Sequence, residues 1–183
     1  TLVETLKEGA VTISVDGTDL LIGIDGVTGS EFDDRLTGDA NLNWFTGRGG
    51  NDTIDGAGGP DWANYAQTSL AIVANLGTGT VNVAGGTHDT LLSIEAILGS
   101  SANDSIVGSA GGDSIEGYSG NDTLDGAGGV DLVVYRYATS AVTVSLANGV
   151  ASGGDGADTL SNFEGIVGSL FSDTLTGDAK DNT

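Results

Sequence analysis

The sequence contains no cysteine and no methionine, and its single proline is Pro60. Without cysteine no disulfide framework can form, so any staple must be a bound metal or the stacking of repeats. The same absence fits export in an unfolded state. Basic residues are scarce: five Lys and Arg stand against 26 Asp and Glu, a formal net charge of −21. No basic patch exists to displace counterions from nucleic acid, and an anionic membrane surface is disfavoured for the same reason. No apolar run approaches the roughly 18 residues of a membrane span. No basic n-region followed by an apolar h-region resembles a signal peptide. The chain runs from Thr1 to Thr183 and stops inside a repeat, which reads as an excerpt of a longer protein.

What is present has to be reconciled with that charge. Self-repulsion at −21 opposes compaction, yet 38% of the residues are apolar, too many for a disordered acidic tail. The two facts agree if cations neutralise the carboxylates as the chain folds. Roughly five divalent ions would cancel about half of the excess. The 32 glycines follow a nine-residue period, which excludes collagen.

That period is explicit at Gly47 to Asp55 (GRGGNDTID) and Gly56 to Asn64 (GAGGPDWAN), and again at Gly117 to Asp125 (GYSGNDTLD) and Gly126 to Val134 (GAGGVDLVV). Glycine holds positions 1 and 4, aspartate position 6 and an apolar residue position 8, close to the G-G-x-G-x-D-x-U-x calcium repeat. A longer period encloses it. GSEFDDRLTGDA at Gly29 returns as GSSANDSIVGSA at Gly99 and GSLFSDTLTGDA at Gly168, and the stretches between them also match. The expected organisation is a tail of a preceding unit (1–28), two full units (29–98 and 99–167) and a truncated third (168–183), forming one continuous solenoid. Each full unit has four nonapeptides and a connecting block of about 34 residues.

The residues predict an all-β chain. Glycines at positions 1 and 4 permit positive φ and close backbone approach. Positions 7 to 9 form a short strand whose position 8 points inward: Leu36, Ile54, Ile106, Ile115, Leu124 and Leu175. The connecting blocks alternate with period two, as in Ile72, Ala74, Leu76 and in Val142, Val144, Leu146, the pattern of a half-buried strand. Glycine interrupts every window of helical length outside residues 1–8.

Ca²⁺ is a hard cation that takes six to eight oxygens, from carboxylates and carbonyls, at about 2.3–2.6 Å. A glycine-rich turn exposes carbonyls, and the position-6 aspartate adds a charged oxygen. On these tandem phrases the chain resembles the RTX (repeats-in-toxin) family of secreted bacterial proteins. The resemblance implies a parallel β-roll, or β-helix solenoid, with two nonapeptides per turn and several calcium ions in the glycine-rich turns. Each ion would bridge one motif and the next but one. Carried over, this implies the pairs Asp34 with Asp52, Asp104 with Asp122, and Asp113 with Asp131, and a weaker pair of Asn43 with Asp61. The turn glycines Gly47, Gly49, Gly56, Gly58, Gly117 and Gly126 join the implied ligand set. Gly153 to Ser161 (GGDGADTLS) matches the phrase inside a connecting block, so Asp158 is a further candidate ligand, with Asp173 as its expected partner.

The first array departs from the pattern: Phe32 and Asn41 stand at position 4, and Asn43 replaces aspartate. Aspartates in such turns can also serve as Asx caps. Trp44, Trp62, Tyr65, Tyr118, Tyr135 and Tyr137 suit either sugar stacking or cover for a thin core. Glu95 and Glu164, with Asp25 at the matching place, fit either further ligands or solvated rim charges. His88 is the only histidine, its counterpart is Ala157, and no catalytic constellation accompanies it. The expectation is a non-enzymatic, calcium-dependent structural module of a secreted or cell-surface protein, exported unfolded by a type I system as the resemblance implies. Two alternatives stand beside it: a carbohydrate-binding module resembling those of alginate epimerases, and the non-catalytic C-terminal part of a secreted hydrolase. Expected partners are calcium, neighbouring repeats or further copies stacked end to end, and a glycan.

Overall fold

A computed structural model of the chain describes residues 24–183. Most of the segment expected as the tail of a preceding unit, and the helix-permitting window at 1–8, lie outside the described residues. Among the described residues every regular element is a β-strand. Five three-residue strands come first: β1 (Gly26–Thr28), β2 (Arg35–Thr37), β3 (Trp44–Thr46), β4 (Thr53–Asp55) and β5 (Trp62–Asn64). The connecting block then supplies β6 (Ile72–Asn75), β7 (Thr80–Val83), β8 (Thr87–Leu92) and β9 (Ala96–Leu98). The series repeats as β10 (Ser105–Val107), β11 (Ser114–Glu116), β12 (Thr123–Asp125), β13 (Leu132–Val134), β14 (Val142–Ser145), β15 (Val150–Gly153), β16 (Gly156–Ser161) and β17 (Gly165–Val167), before β18 (Thr174–Thr176).

Consecutive nonapeptides alternate between two sheets, so each turn of the roll consumes two. One sheet has seven strands, β1-β3-β5-β9-β11-β13-β17, all parallel. Its register advances by one turn of the roll: Phe45 pairs with Ala63, and Ile115 with Val133. The other sheet has eleven strands because each connecting block folds back on itself there. β6, β7 and β8 form an antiparallel meander inserted between the parallel neighbours β4 and β10, and β14, β15 and β16 do the same beyond β12. The period-two alternation is thus a strand pattern in both blocks.

Position 8 fills the narrow space between the sheets. Leu36, Ile54, Ile106 and Leu124 enter from one side, and Phe45, Ala63, Ile115 and Val133 from the other, all buried. Burial of each large side chain is worth about 1.5–3 kcal/mol relative to exposure. Leu175 departs from the expectation, since it remains 45% exposed on β18 at the edge of the larger sheet. No later strand of the seven-stranded sheet stands opposite it, so its inward direction meets no partner.

Candidate metal centre

The turns joining these strands bring the position-6 residues into vertical rungs. The Asp34 amide donates to Asp52 Oδ1 at 2.9 Å, Asn43 to Asp61 Oδ1 at 2.7 Å, Asp104 to Asp122 Oδ1 at 2.8 Å, and Asp113 to Asp131 Oδ1 at 2.8 Å. All four pairs that the family resemblance implied are therefore neighbours. The rungs continue into the connecting blocks. The Asp52 amide donates to Asp89 Oδ1 at 2.9 Å and the Asp122 amide to Asp158 Oδ1 at 3.0 Å. On the other sheet's side, the Asp61 and Asp131 amides donate to Glu95 and Glu164 Oε2, each at 3.1 Å. The two glutamates thus take the place in the ladder that an aspartate would hold.

Two expectations are corrected. Asp158 does not join Asp173: it belongs to the Asp122 rung and accepts from the Tyr135 hydroxyl at 2.9 Å, as Asp89 does from Tyr65. Asp173 instead accepts from the Val142 amide, because β18 stacks on β14 and not on the meander strand that carries Asp158. The second correction concerns the glycines. Position 4 takes positive φ as expected, at Gly50, Gly59, Gly120 and Gly129, but position 1 does not. The second left-handed residue is at position 2, where Arg48, Ala57, Tyr118 and Ala127 adopt φ between 66° and 75°. Glycine at position 1 answers to space: a Cβ on Gly47 would strike the Asp52 carboxylate, and one on Gly29 the Gly47 carbonyl.

The left-handed position 2 divides the motifs into two kinds. In the first two motifs of each unit a local backbone amide holds the position-6 side chain. Ser30, Ser100 and Ser109 donate their amides to Asp34, Asp104 and Asp113 Oδ2 at 2.5–2.6 Å, and their hydroxyls add a second bond. There the position-6 carboxylate closes its own turn by accepting from the residue four positions earlier, which is not an Asx cap. In the last two motifs the turn no longer aims that amide at the carboxylate. Asp52, Asp61 and Asp131 are buried, and their Oδ2 atoms carry no hydrogen bond. In the last motif of each unit the turn cap comes from position 9 of the preceding one, as the Ala57 and Ala127 amides donate to Asp55 and Asp125 Oδ1.

A bare buried carboxylate oxygen is expensive unless a cation meets it. The cost appears in the proton equilibria. Burial, opposed by the amide bond from Asp34 and reinforced by the neighbouring carboxylates, pushes Asp52 up to about 7; the same causes push Asp122 to about 8. Asp61 and Asp131 are raised by burial as well. Among the described residues no three His, Cys, Asp or Glu side chains converge into one metal cluster. A cation at a rung would meet two side chains and complete its shell from turn carbonyls, and hard oxygen donors of that kind fit calcium.

The remaining sequence candidates fall elsewhere. Tyr65 and Tyr135 are buried behind the meander, and Trp44 stacks on Trp62 with ring centroids 5.2 Å apart. His88 is exposed and bonds Asn82 at 2.6 Å. Sequence reasoning missed Asp89, whose signal was available: it precedes Thr90-Leu91 as Asp158 precedes Thr159-Leu160. A family model described as the RTX calcium-binding nonapeptide repeat matches residues 28–63 and 98–133, in four copies. Repeats of this kind bind calcium ions and are structural, not catalytic. No curated protein matches the chain.

Proposed function

We propose that this chain, which carries RTX calcium-binding nonapeptide repeats, is a calcium-dependent structural module of a secreted or cell-surface protein. The observation that supports this best is the row of buried Oδ2 atoms without hydrogen bonds on Asp52, Asp61 and Asp131. Ions at the rungs Asp34–Asp52, Asn43–Asp61, Asp104–Asp122 and Asp113–Asp131 would neutralise charge that otherwise opposes stacking of the turns. Carbonyls of turns at Gly47, Gly49, Gly56, Gly58, Gly117 and Gly126 would complete their shells, and Asp158 would extend the Asp122 rung. A ligand that binds only the folded state supplies folding free energy. The module would therefore stay expanded where calcium is scarce, as export requires, and fold outside the cell. Circular dichroism with and without millimolar calcium tests this, and identical spectra would sink it.

A glycan-binding reading draws on one feature. Leu42, the stacked Trp44 and Trp62, Glu116, Arg136 and Tyr137 line a cavity of about 180 Å³. Aromatic faces suit a neutral sugar, whereas the charge of −21 disfavours a polyanion. A glycan array in calcium separates the two: binding lost on Trp62→Ala favours this site, and a blank array leaves the structural reading alone.

A further inference from the structure

The second connecting block closes over a pair of acids that belong to no rung. Glu116 ends β11 at position 9 and is 1% exposed. Its Oε1 accepts from the Tyr137 amide at 2.8 Å, and its Oε2 has no hydrogen bond. Asp155 sits at the tip between β15 and β16 and is 7% exposed, with neither carboxylate oxygen hydrogen-bonded. The Thr139 amide eases its charge without completing a hydrogen bond. The backbone fixes the tip firmly: the Gly120 amide donates to the Asp155 carbonyl at 2.8 Å, and the Thr139 hydroxyl to the Gly154 carbonyl at 3.1 Å. Residues 137–139 thus run past both acids, bonding Glu116 through the Tyr137 amide and the neighbour of Asp155 through the Thr139 hydroxyl.

The two carboxylates feel one another. Burial, then the charge of Asp155, raises Glu116 to about 7, with only Arg136 opposing among charged groups. Burial, then Asp158, raises Asp155 to about 6. Two nearly buried acids thus hold three oxygens without hydrogen bonds, and among the described residues neither acid makes an ion pair, although Glu116 shares a cavity wall with Arg136. The first unit shows that the fold does not demand it, since Thr46 replaces Glu116 and the tip there reads Ala84-Gly85-Gly86.

We infer that Glu116 and Asp155 form an additional calcium site, separate from the aspartate rungs, that fastens the second meander to the roll. The three open oxygens of this pair are hard donors, and the turn backbone around Gly120 offers carbonyls to fill the shell. The site extends the calcium reading above and rests on it for the identity of the ion.

Native mass spectrometry of the full 183-residue chain in calcium counts the ions on the folded envelope. Glu116→Gln and Asp155→Asn are each expected to lose one ion relative to the parent chain. Glu116→Thr with Asp155→Gly, which restores residue types already accommodated in the first unit, is expected to lose the same single ion and remain folded. An unchanged count in these variants means the pair shares a proton and overturns the site. Loss on Asp155→Asn alone assigns Asp155 to the Asp122–Asp158 rung and also overturns it. A parent chain that binds no calcium would instead defeat the broader reading.

Discussion

The two units share a backbone plan but fill one location in opposite ways. In the first, the connecting segment leaves a cavity of about 610 Å³, lined mostly by neutral groups such as Thr46, Asn64, Gln67 and Ser69, with Glu31 and Arg48 as its charged members. In the second, Glu116 and Asp155 are folded into the counterpart place and covered. The rungs differ in the same sense. The second unit has aspartate at position 6 throughout, whereas the first has Asn43 in one rung. Repetition of the backbone therefore does not fix the charge each unit must neutralise. The second unit concentrates more negative charge in buried places, so its folding should depend more steeply on calcium.

Withdrawal of calcium is the severest test of that difference. Chelation at neutral pH is expected to remove hydrogen-exchange protection from both units, and from β10–β13 at a higher residual calcium concentration than from β2–β5. Simultaneous loss would mean that the stacked turns open as one cooperative unit and would break the comparison. Core truncation gives the next largest effect and probes what the units share. Ile115→Ala should cost about 2–5 kcal/mol and its counterpart Phe45→Ala about 3–5 kcal/mol, measured by denaturation in calcium. Similar costs in both units would confine the difference to the turns.

Acid should partly replace calcium. Asp52, Asp122, Glu116 and Asp155 have raised proton affinities in the metal-free fold, at about 7, 8, 7 and 6. A folded-state value above the unfolded one means that the folded chain binds more protons between the two. Stability without metal is then fully present below about pH 4 and is lost as pH rises through about 6 to 8. Circular dichroism in chelator should show more β structure at pH 5 than at pH 8, and calcium should abolish the difference. A pH-independent spectrum in chelator would contradict the burial of these groups.

Much of this was legible in the residues, for a physical reason. Glycine spacing, the position-6 aspartate and the position-8 apolar residue each repeat, so the strands and the inward face follow from periodicity, while the 18-residue pairing came from the family resemblance. What was not legible depended on contacts between segments that share no period. Asp52 and Asp89 stand 37 residues apart, off the nine-residue period, and the 36 residues from Asp122 to Asp158 are in phase but cross an antiparallel meander that the period does not show. The left-handed turn at Arg48, Ala57, Tyr118 and Ala127 is not marked by one residue type, because arginine, alanine and tyrosine all adopt it. Glu116 occupies the position held by Thr37, Thr46 and Val107 in sister motifs. It is buried there, with its Oε1 held by the Tyr137 amide of the connecting segment.

The smallest predicted effect asks whether charge alone separates the units. Asn43 Oδ1 already accepts from the Asp39 amide at 2.8 Å, the bond that Ser30 gives to Asp34 in the preceding motif. Asn43→Asp keeps that acceptor and surrenders only the long contact from its Nδ2 to the Ile24 carbonyl, at 3.4 Å. The rung with Asp61 then has the same two carboxylates as Asp113 with Asp131. Ligand charge tunes calcium affinity in oxygen-donor sites, so the change should tighten the weakest ion in a calcorimetric titration by about tenfold, or ~1.4 kcal/mol. The same substitution should make protection of β3 and β5 vary with calcium as steeply as that of β11 and β13. If affinity does not move, the asparagine rung was never a calcium site, and the units differ in the number of ions they hold and not in the strength of one.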